Sequence, residues 1–353
     1  MSGTRMGGPL STPLLSIRNL AVEFRTNDGV VHAVDHVNYD VYPGETLGIV
    51  GESGSGKSVS VMSLLRLIPE PPGRIVSGEA IFNGRNLLDI PKKELRDIRG
   101  DDIAMVFQDP MTSLNPVFKV GRQVAEALKA HDPTLSGEQV RARAIELLDM
   151  VGVPQPERRY EQYPHHYSGG MRQRAMIAMA IANQPSVLIA DEPTTALDVT
   201  IQAQILKLLT AAQRETGAAV ILITHDLGLI AEMADRVVVM YAGHVVETGD
   251  VEDIFHSPRH PYTLGLMNSL PQAEANDEWL RPIPGNPPNL LNVPPGCPFH
   301  PRCLLSQDRS ICRTELPVLA PAAGQEGHLS ACHFSDELAG ETARMLATAE
   351  KMA

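Results

Sequence analysis

Aromatic residues are scarce in this chain: one Trp, seven Phe and seven Tyr in 353 positions. Proteins that hold single-stranded nucleic acid stack its bases on such side chains, and few are available here. Basic residues are also outnumbered, 30 Lys plus Arg against 42 Asp plus Glu, for a net charge of −12. Nucleic-acid binders draw much of their affinity from a basic face that neutralises phosphates, so both shortages argue against a nucleic-acid partner. No run nears the ~18–20 uninterrupted apolar residues of a bilayer-spanning helix. The first 13 residues, MSGTRMGGPLSTP, lack the apolar core of a secretory signal and read as a disordered lead-in. A cytosolic protein is expected, or one peripheral to the cytosolic face of a membrane. Cysteine is absent from the first 296 positions, and all four cysteines follow in the last part of the chain.

What is present is enough for a sizeable core, since 43 % of residues are apolar. Residues 14–24, LLSIRNLAVEF, alternate like a strand, and VVHAVDHVNYDV reads as further strands after the NDG turn. TLGIVG at 46–51 is a short apolar run suited to a buried parallel strand. A glycine-rich loop follows, then a helix over about 58–68. Residues 112–180 show apolar spacing of helical period. Apolar strands at 186–193, 218–226 and 236–249 alternate with helices near 200–215 and 228–234. This order predicts a parallel α/β core interrupted by a helical insertion. Beyond about residue 255 the composition shifts. The stretch RPIPGNPPNLLNVPPGCPFHP at 281–301 is too rich in proline for helix or central strand and reads as an extended appendage. A terminal helix is expected at 336–353.

Gly51-Glu52-Ser53-Gly54-Ser55-Gly56-Lys57-Ser58 fits the phosphate-loop spacing. Glycines let backbone N–H groups converge on phosphate oxygens, and the following helix points its positive end at them. Lys57 would reach the β- and γ-phosphates and Ser58 would ligate magnesium. The bland alternative, a glycine-rich turn, does not explain the strand before it and the helix after it. Asp191 and Glu192 end an apolar strand, where α/β proteins place ligands. Asp191 would hold magnesium and Glu192 would deprotonate the attacking water. An acidic cap before Pro193 is the structural alternative. His225 follows the next strand and would donate to the developing charge, or else serve as a cap. Gln108 closes IAMVFQ and would touch both magnesium and the nucleophile. Ser168, Gly169 and Gly170 begin a helix and offer a second anion site, or merely a flexible helix entrance.

Taken in order, the phosphate loop, Gln108, SGGMRQR at 168–174, Asp191-Glu192-Pro193, Ala196-Leu197-Asp198 and His225 resemble the nucleotide-binding domain of an ABC transporter over about residues 14–250. The resemblance implies a P-loop core with an antiparallel β subdomain and a helical subdomain. It implies a head-to-tail pair in which ATP, bound through Gly51, Ser53, Gly54, Ser55, Gly56, Lys57, Ser58 and Val59, meets the other subunit's SGG turn, with Asp198 at the contact. An upstream aromatic stacks on adenine in such domains; Phe24 is the first choice and His32 the second. QDPMTSLNPV at 108–117, ADEPTTALDVTIQAQIL at 190–206, HPYT at 260–263 and PGCPFHPRC at 295–303 are similar to the ATPase subunits of oligopeptide and dipeptide importers. That narrower likeness implies a second ATPase, two permeases docked near 108–118, and an extracytoplasmic peptide-binding protein. It implies a nucleotide-binding domain over 14–255 and an extension over 256–335. Import of nickel, glutathione or another small solute is the near alternative. A soluble ABC-type ATPase of DNA repair or translation is the distant one, disfavoured by the lack of coiled-coil insertions or tandem domains. A non-hydrolysing scaffold is disfavoured by Glu192 and His225. One departure stands out: His165-His166 precede the SGG turn, where Glu or Gln is expected at the second position.

The cysteines are spaced Cys297-x5-Cys303-x8-Cys312-x19-Cys332. Four thiols suit one four-coordinate site, although structural zinc commonly uses shorter gaps, and a reducing compartment disfavours disulfides. The family resemblance implies a 4Fe–4S cluster; zinc and no metal at all are the alternatives. A metal would supply folding energy to a proline-rich segment with little core.

Overall fold

The computed structural model describes residues 12–109, 113–194, 199–269, 283–307, 309–322 and 324–338. Residues 1–11 of the tail expected over 1–13, the part of the expected terminal helix beyond 338, and Asp198 lie outside them. In chain order the elements that frame the site are β1 (Leu15–Thr26), β2 (Gly29–Val41), β3 (Thr46–Val50), α1 (Lys57–Leu64), β4 (Gly73–Phe82), β5 (Arg85–Asn86), α2 (Lys92–Ile98) and β6 (Ile103–Val106). The helical block follows: α3 (Val120–His131), α4 (Gly137–Met150), α5 (Pro156–Tyr160) and α6 (Gly169–Ala180). The core resumes with β7 (Val187–Asp191), α7 (Val199–Thr216), β8 (Ala219–Ile223), α8 (Leu227–Met233), β9 (Arg236–Tyr241) and β10 (His244–Asp250). Last come α9 (Val251–His256), α10 (Pro261–Asn268), α11 (Ile311–Thr314), β11 (Ala320–Ala322) and β12 (Gln325–Ser330).

Two sheets result. The large one runs β11-β12-β10-β9-β3-β8-β7-β6, and the small one runs β2-β1-β4-β5 with antiparallel pairing. Strands β9, β3, β8, β7 and β6 are mutually parallel. Their apolar runs are continuous because both faces are covered. Alternation then divides the residues between two cores. Val50, Leu188, Ala190, Val220, Leu222, Val237 and Val239 face the helical side. Leu47, Ile49, Val187, Ile189, Ile221, Val238 and Met240 face α1 and the small sheet. The expected parallel core with an antiparallel subdomain and a helical insertion is what forms.

The appendage is more regular than its prolines imply. β12 pairs antiparallel with β10 and extends the large sheet, and β11 pairs with β12. The attachment is held by a buried carboxylate. Glu247 on β10 accepts from the Arg259 and His260 N–H groups at 2.5 and 3.0 Å, and pairs with His328 Nε2 of β12 at 2.7 Å. Glu247 and His328 are both fully buried. An unpartnered charge in that position would cost several kcal/mol, on the order of 3–5, so the two segments hold one another in place.

His260 next to this pair gives the fold a pH dependence. It caps α10, its Nδ1 accepting from the Tyr262 N–H at 3.1 Å, and burial pushes its pKa down to about 3. The unfolded chain has an ordinary imidazole near ~6.5 and takes up a proton that the folded chain refuses. This contribution is therefore complete above ~6.5 and is lost as the pH falls from there toward 3. Between pH 7 and 5 it amounts to about 2 kcal/mol of unfolding free energy. His260→Asn keeps a capping acceptor and removes that share of the slope, as read by urea denaturation at the two pH values. An unchanged slope in the variant would contradict the assignment.

Candidate active site

The loop between β3 and α1 is shaped by its glycines. Gly51, Gly54 and Gly56 have φ of 150°, 78° and 99°, a region that favours residues without Cβ. A Cβ on Gly51 would run into the Met240 carbonyl, and one on Gly56 into the Ala33 carbonyl. Ser53 and Gly54 are exposed at the tip, whereas Ser55 and Gly56 are buried. Gly243 N–H donates to the Ser55 carbonyl at 3.1 Å, which ties the loop to the β9–β10 turn.

Lys57 lies inside this curl, only 6 % exposed. Its Nζ donates to the carbonyls of Gly51 and Glu52 at 2.8 and 2.9 Å, and more weakly to Ser55 Oγ at 3.4 Å. Burial lowers its pKa, and the carboxylates of Glu192, Asp191 and Glu52 pull it back. Ser58 Oγ donates to Asp191 Oδ1 at 2.8 Å, so the first turn of α1 already meets the end of β7. Burial raises the Asp191 pKa, and the Ser58 hydrogen bond and Lys57 work against that rise. Val59 is half-buried on α1 and packs toward the α1-side core.

Glu192 stands one residue beyond β7 in a left-handed conformation, φ 44°, with its N–H donated to the Ile223 carbonyl at 2.9 Å. A non-glycine residue held there is a strained position of the kind that gathers at functional sites. Gln108 Nε2 donates to Glu192 Oε2 at 2.8 Å, and His225 Nδ1 lies 3.6 Å from Oε1. The ends of β6, β7 and β8 thus bring Gln108, Glu192 and His225 together beside Asp191, Ser58 and Lys57. His225 is 67 % exposed and Gln108 is also at the surface.

Ser168 is exposed and caps α6, its Oγ accepting from the Met171 N–H at 3.3 Å; Gly169 is exposed and Gly170 half-buried against Ile201 of α7. Helix α6 packs on α3, α4, β6 and α7. At the departure, the rings of Tyr163, His165 and His166 cluster with centroids 4.2–6.4 Å apart, and only His165 stacks on Tyr163. Phe24 pairs with Val31 on β2 and packs at the edge of the α1-side core, close to Gly73. His32 is exposed, and its carbonyl lies near Gly243 beside the loop.

Contacts from the far end of the chain went unforeseen. The Glu52 N–H donates to Tyr262 Oη at 2.7 Å, and Arg302 pairs with both Glu52 carboxylate oxygens at 2.6 and 2.9 Å. Tyr262 belongs to the HPYT segment and Arg302 to the PRC turn, but no local pattern connects either with a loop 210 or 250 positions earlier.

The 4Fe–4S reading of Cys297, Cys303, Cys312 and Cys332, with its zinc alternative, is corrected. All four are free thiols, and among the described residues no group of three or more His, Cys, Asp or Glu side chains is arranged to hold a metal ion. Burial pushes Cys297 up to about 11 and Cys303 and Cys332 up to about 12, and also raises Cys312. The folding energy assigned to a metal comes from elsewhere: the β10–β12 pairing, the Glu247–His328 pair, and Phe299 packed 5.2–5.9 Å from the rings of Tyr241, Tyr262 and His260.

The family profile described as "ABC transporter" matches residues 34–195, and that described as "Oligopeptide/dipeptide transporter, C-terminal region" matches residues 246–312. The oligopeptide transport ATP-binding protein OppD of Bacillus subtilis is 55 % identical over 289 residues, 82 % of this chain and 80 % of that protein. The dipeptide transport ATP-binding protein DppD of Escherichia coli K12 is 51 % identical over 327 residues, 93 % of this chain and 98 % of its own length. Among solved structures, the dimeric bacterial ABC transporter cassette MJ0796 superposes with a TM-score of 0.61 at 31 % identity, covering 67 % of this chain and 98 % of that one. A loop built for phosphates, an acid–amide–imidazole group beside it, and relatives this similar over most of their length lead to one conclusion: the chain is an ATP-hydrolysing protein of the ABC transporter family, within its oligopeptide and dipeptide transport ATP-binding branch.

Proposed function

We propose that this chain is the motor subunit of an importer of short peptides, peripheral on the cytoplasmic face of a membrane. The observation that carries the catalytic part is the convergence of Gln108, Glu192 and His225 on the mouth of the phosphate loop. In this reading the loop N–H groups and Lys57 hold the triphosphate. Ser58 and Asp191, with Gln108 nearby, would hold magnesium, which would supply charge neutralisation at the phosphates. Glu192 takes a proton from water as its oxygen attacks the terminal phosphorus, and the bond to ADP breaks. His225 donates to the developing charge. Ser168, Gly169, Gly170 and Asp198 serve the ATP bound by a second, homologous ATPase. The edge position of Phe24 and the exposed His32 leave both as candidates for adenine stacking.

The peptide part rests on the match of the C-terminal region at 246–312 and on the names of the most similar relatives. No described helix is long and apolar enough to cross a membrane; in this reading, which the family match supports, separate permeases carry the peptide and a binding protein outside supplies it. The nucleotide-binding unit spans 14–255 and the extension 256–335. Purification from intact membranes is expected to bring two permease subunits and a second ATPase. In such membranes, Lys57→Ala removes the cation from the loop and abolishes ATP-driven uptake of di- and oligopeptides. Peptide uptake that persists in that variant, or a complex that accumulates only nickel or another non-peptide solute, would refute the proposal.

A further inference from the structure

Glu52 is the second residue of the phosphate loop, and its carboxylate has an unusual owner. Arg302, 250 positions later, grips both oxygens, Nη1 to Oε2 at 2.6 Å and Nη2 to Oε1 at 2.9 Å. The guanidinium is itself fixed. Its Nε donates to the Pro284 carbonyl at 2.9 Å, its Nη1 also reaches Tyr241 Oη at 3.3 Å, and it lies 5.8 Å from the ring centres of Tyr241 and Phe299. Burial alone would lower its pKa, yet Glu52 and Tyr241 hold it above the ordinary value. Arg302 is 9 % exposed, so this is a low-dielectric, two-pronged pair rather than a loose surface bridge. The main chain of Glu52 is caught as well, its N–H donated to the Tyr262 hydroxyl. Tyr241, Tyr262 and Phe299 form one ring cluster behind the loop, centroids 4.6–5.4 Å apart.

The other side of Glu52 is Lys57. Its Nζ donates to the Glu52 carbonyl, and the Glu52 carboxylate is one of three that favour its charged form. An unpaired carboxylate here would face an incoming polyphosphate with like charge and compete with it for Lys57. We infer that the extension is part of the nucleotide site: Arg302 is a positioning residue that acts through Glu52, neutralising it and leaving Lys57 available to phosphate, while Tyr262 sets the loop's first turn. The inference rests on the loop being the ATP site.

The full-length chain is titrated with ATP, and its hydrolysis is followed in the assembled transporter. Arg302→Gln raises the Kd and the KM for ATP about tenfold and leaves kcat within about twofold, because no group touching the reacting atoms has changed. Adding Glu52→Gln removes the orphaned charge, and E52Q/R302Q recovers affinity to within about threefold of the native chain. General loosening of the fold would not be repaired by a second substitution. ATP affinity unchanged in Arg302→Gln, or no better in the double variant than in the single, overturns the inference. Should Arg302→Gln not fold, Tyr262→Phe decides, with binding about three- to fivefold weaker expected from the lost acceptor and unchanged binding counting against it. Lys57→Ala separates the two readings. ATP binding that survives it overturns the site and this inference together, whereas binding lost there but unchanged in Arg302→Gln overturns the inference alone.

Discussion

Glu192→Gln lowers ATP turnover by roughly 10²–10⁴-fold, the range that a positioned general base supplies, and leaves ATP binding intact. The substitution is nearly isosteric, and the surroundings tolerate it. The backbone at position 192 is set by the N–H bond to the Ile223 carbonyl, which a side-chain amide does not disturb. Gln108 can still donate to the new side-chain oxygen. What is lost is an oxygen able to take a proton. His225, 3.6 Å from the carboxylate, is no substitute, since its part is to donate. Bound ATP therefore persists, and paired ATPases held together by it accumulate. Size-exclusion chromatography with light scattering in ATP and magnesium reads the larger species, and a phosphate-release assay reads turnover. A variant that keeps turnover within about tenfold of the native chain, or that never populates the larger species, contradicts the role given to Glu192.

The loop was legible in the sequence because its chemistry needs residues that little else requires together: glycines at conformations closed to other residues, then a lysine and a hydroxyl at the start of a helix. The core strands were legible for a similar reason, since burial on both faces writes uninterrupted apolar runs such as VILI. Glu192 was placed by its strand end, but its left-handed backbone and its bond to Gln108 depend on three strands meeting side by side. The extension was the hardest part. β12 reads QEGHLS, with a glycine and few apolar residues, and it becomes a strand because β10 offers an edge and Glu247 a partner for His328. Arg302 sits in a proline-rich turn where no local pattern marks it. Its partner is fixed by tertiary folding alone, as are the rings that flank it. The cysteine reading failed at the same place. Spacing counts thiols but not how the fold places them, and among the described residues they are not arranged to hold a metal ion.

Gly56→Ala abolishes ATP binding and destabilises the chain by several kcal/mol, roughly 2–4 from backbone strain and steric overlap combined. Gly56 closes the loop and caps α1 at φ 99°, ψ 0°, a conformation that costs a Cβ-bearing residue energy before any neighbour is counted. The neighbours make it worse. The added methyl would overlap the Ala33 carbonyl on β2, with Gly243 behind it, and neither is a flexible side-chain end that can swing aside. Relief has to come from the loop, through rotation at residue 56 or a shift of α1 away from β2. Either motion redirects the N–H groups at the head of α1 and drags Lys57 and Ser58 with them, breaking the curl around Lys57 and the Ser58–Asp191 contact. Gly54→Ala supplies the control. It is also at positive φ but meets nothing within 4 Å, so it bears the backbone term alone, about 1–2 kcal/mol, and keeps measurable affinity. Urea denaturation and ATP titration of the two variants check the difference. Equal losses in both would show that backbone conformation, and not the contact with Ala33, makes glycine necessary at position 56.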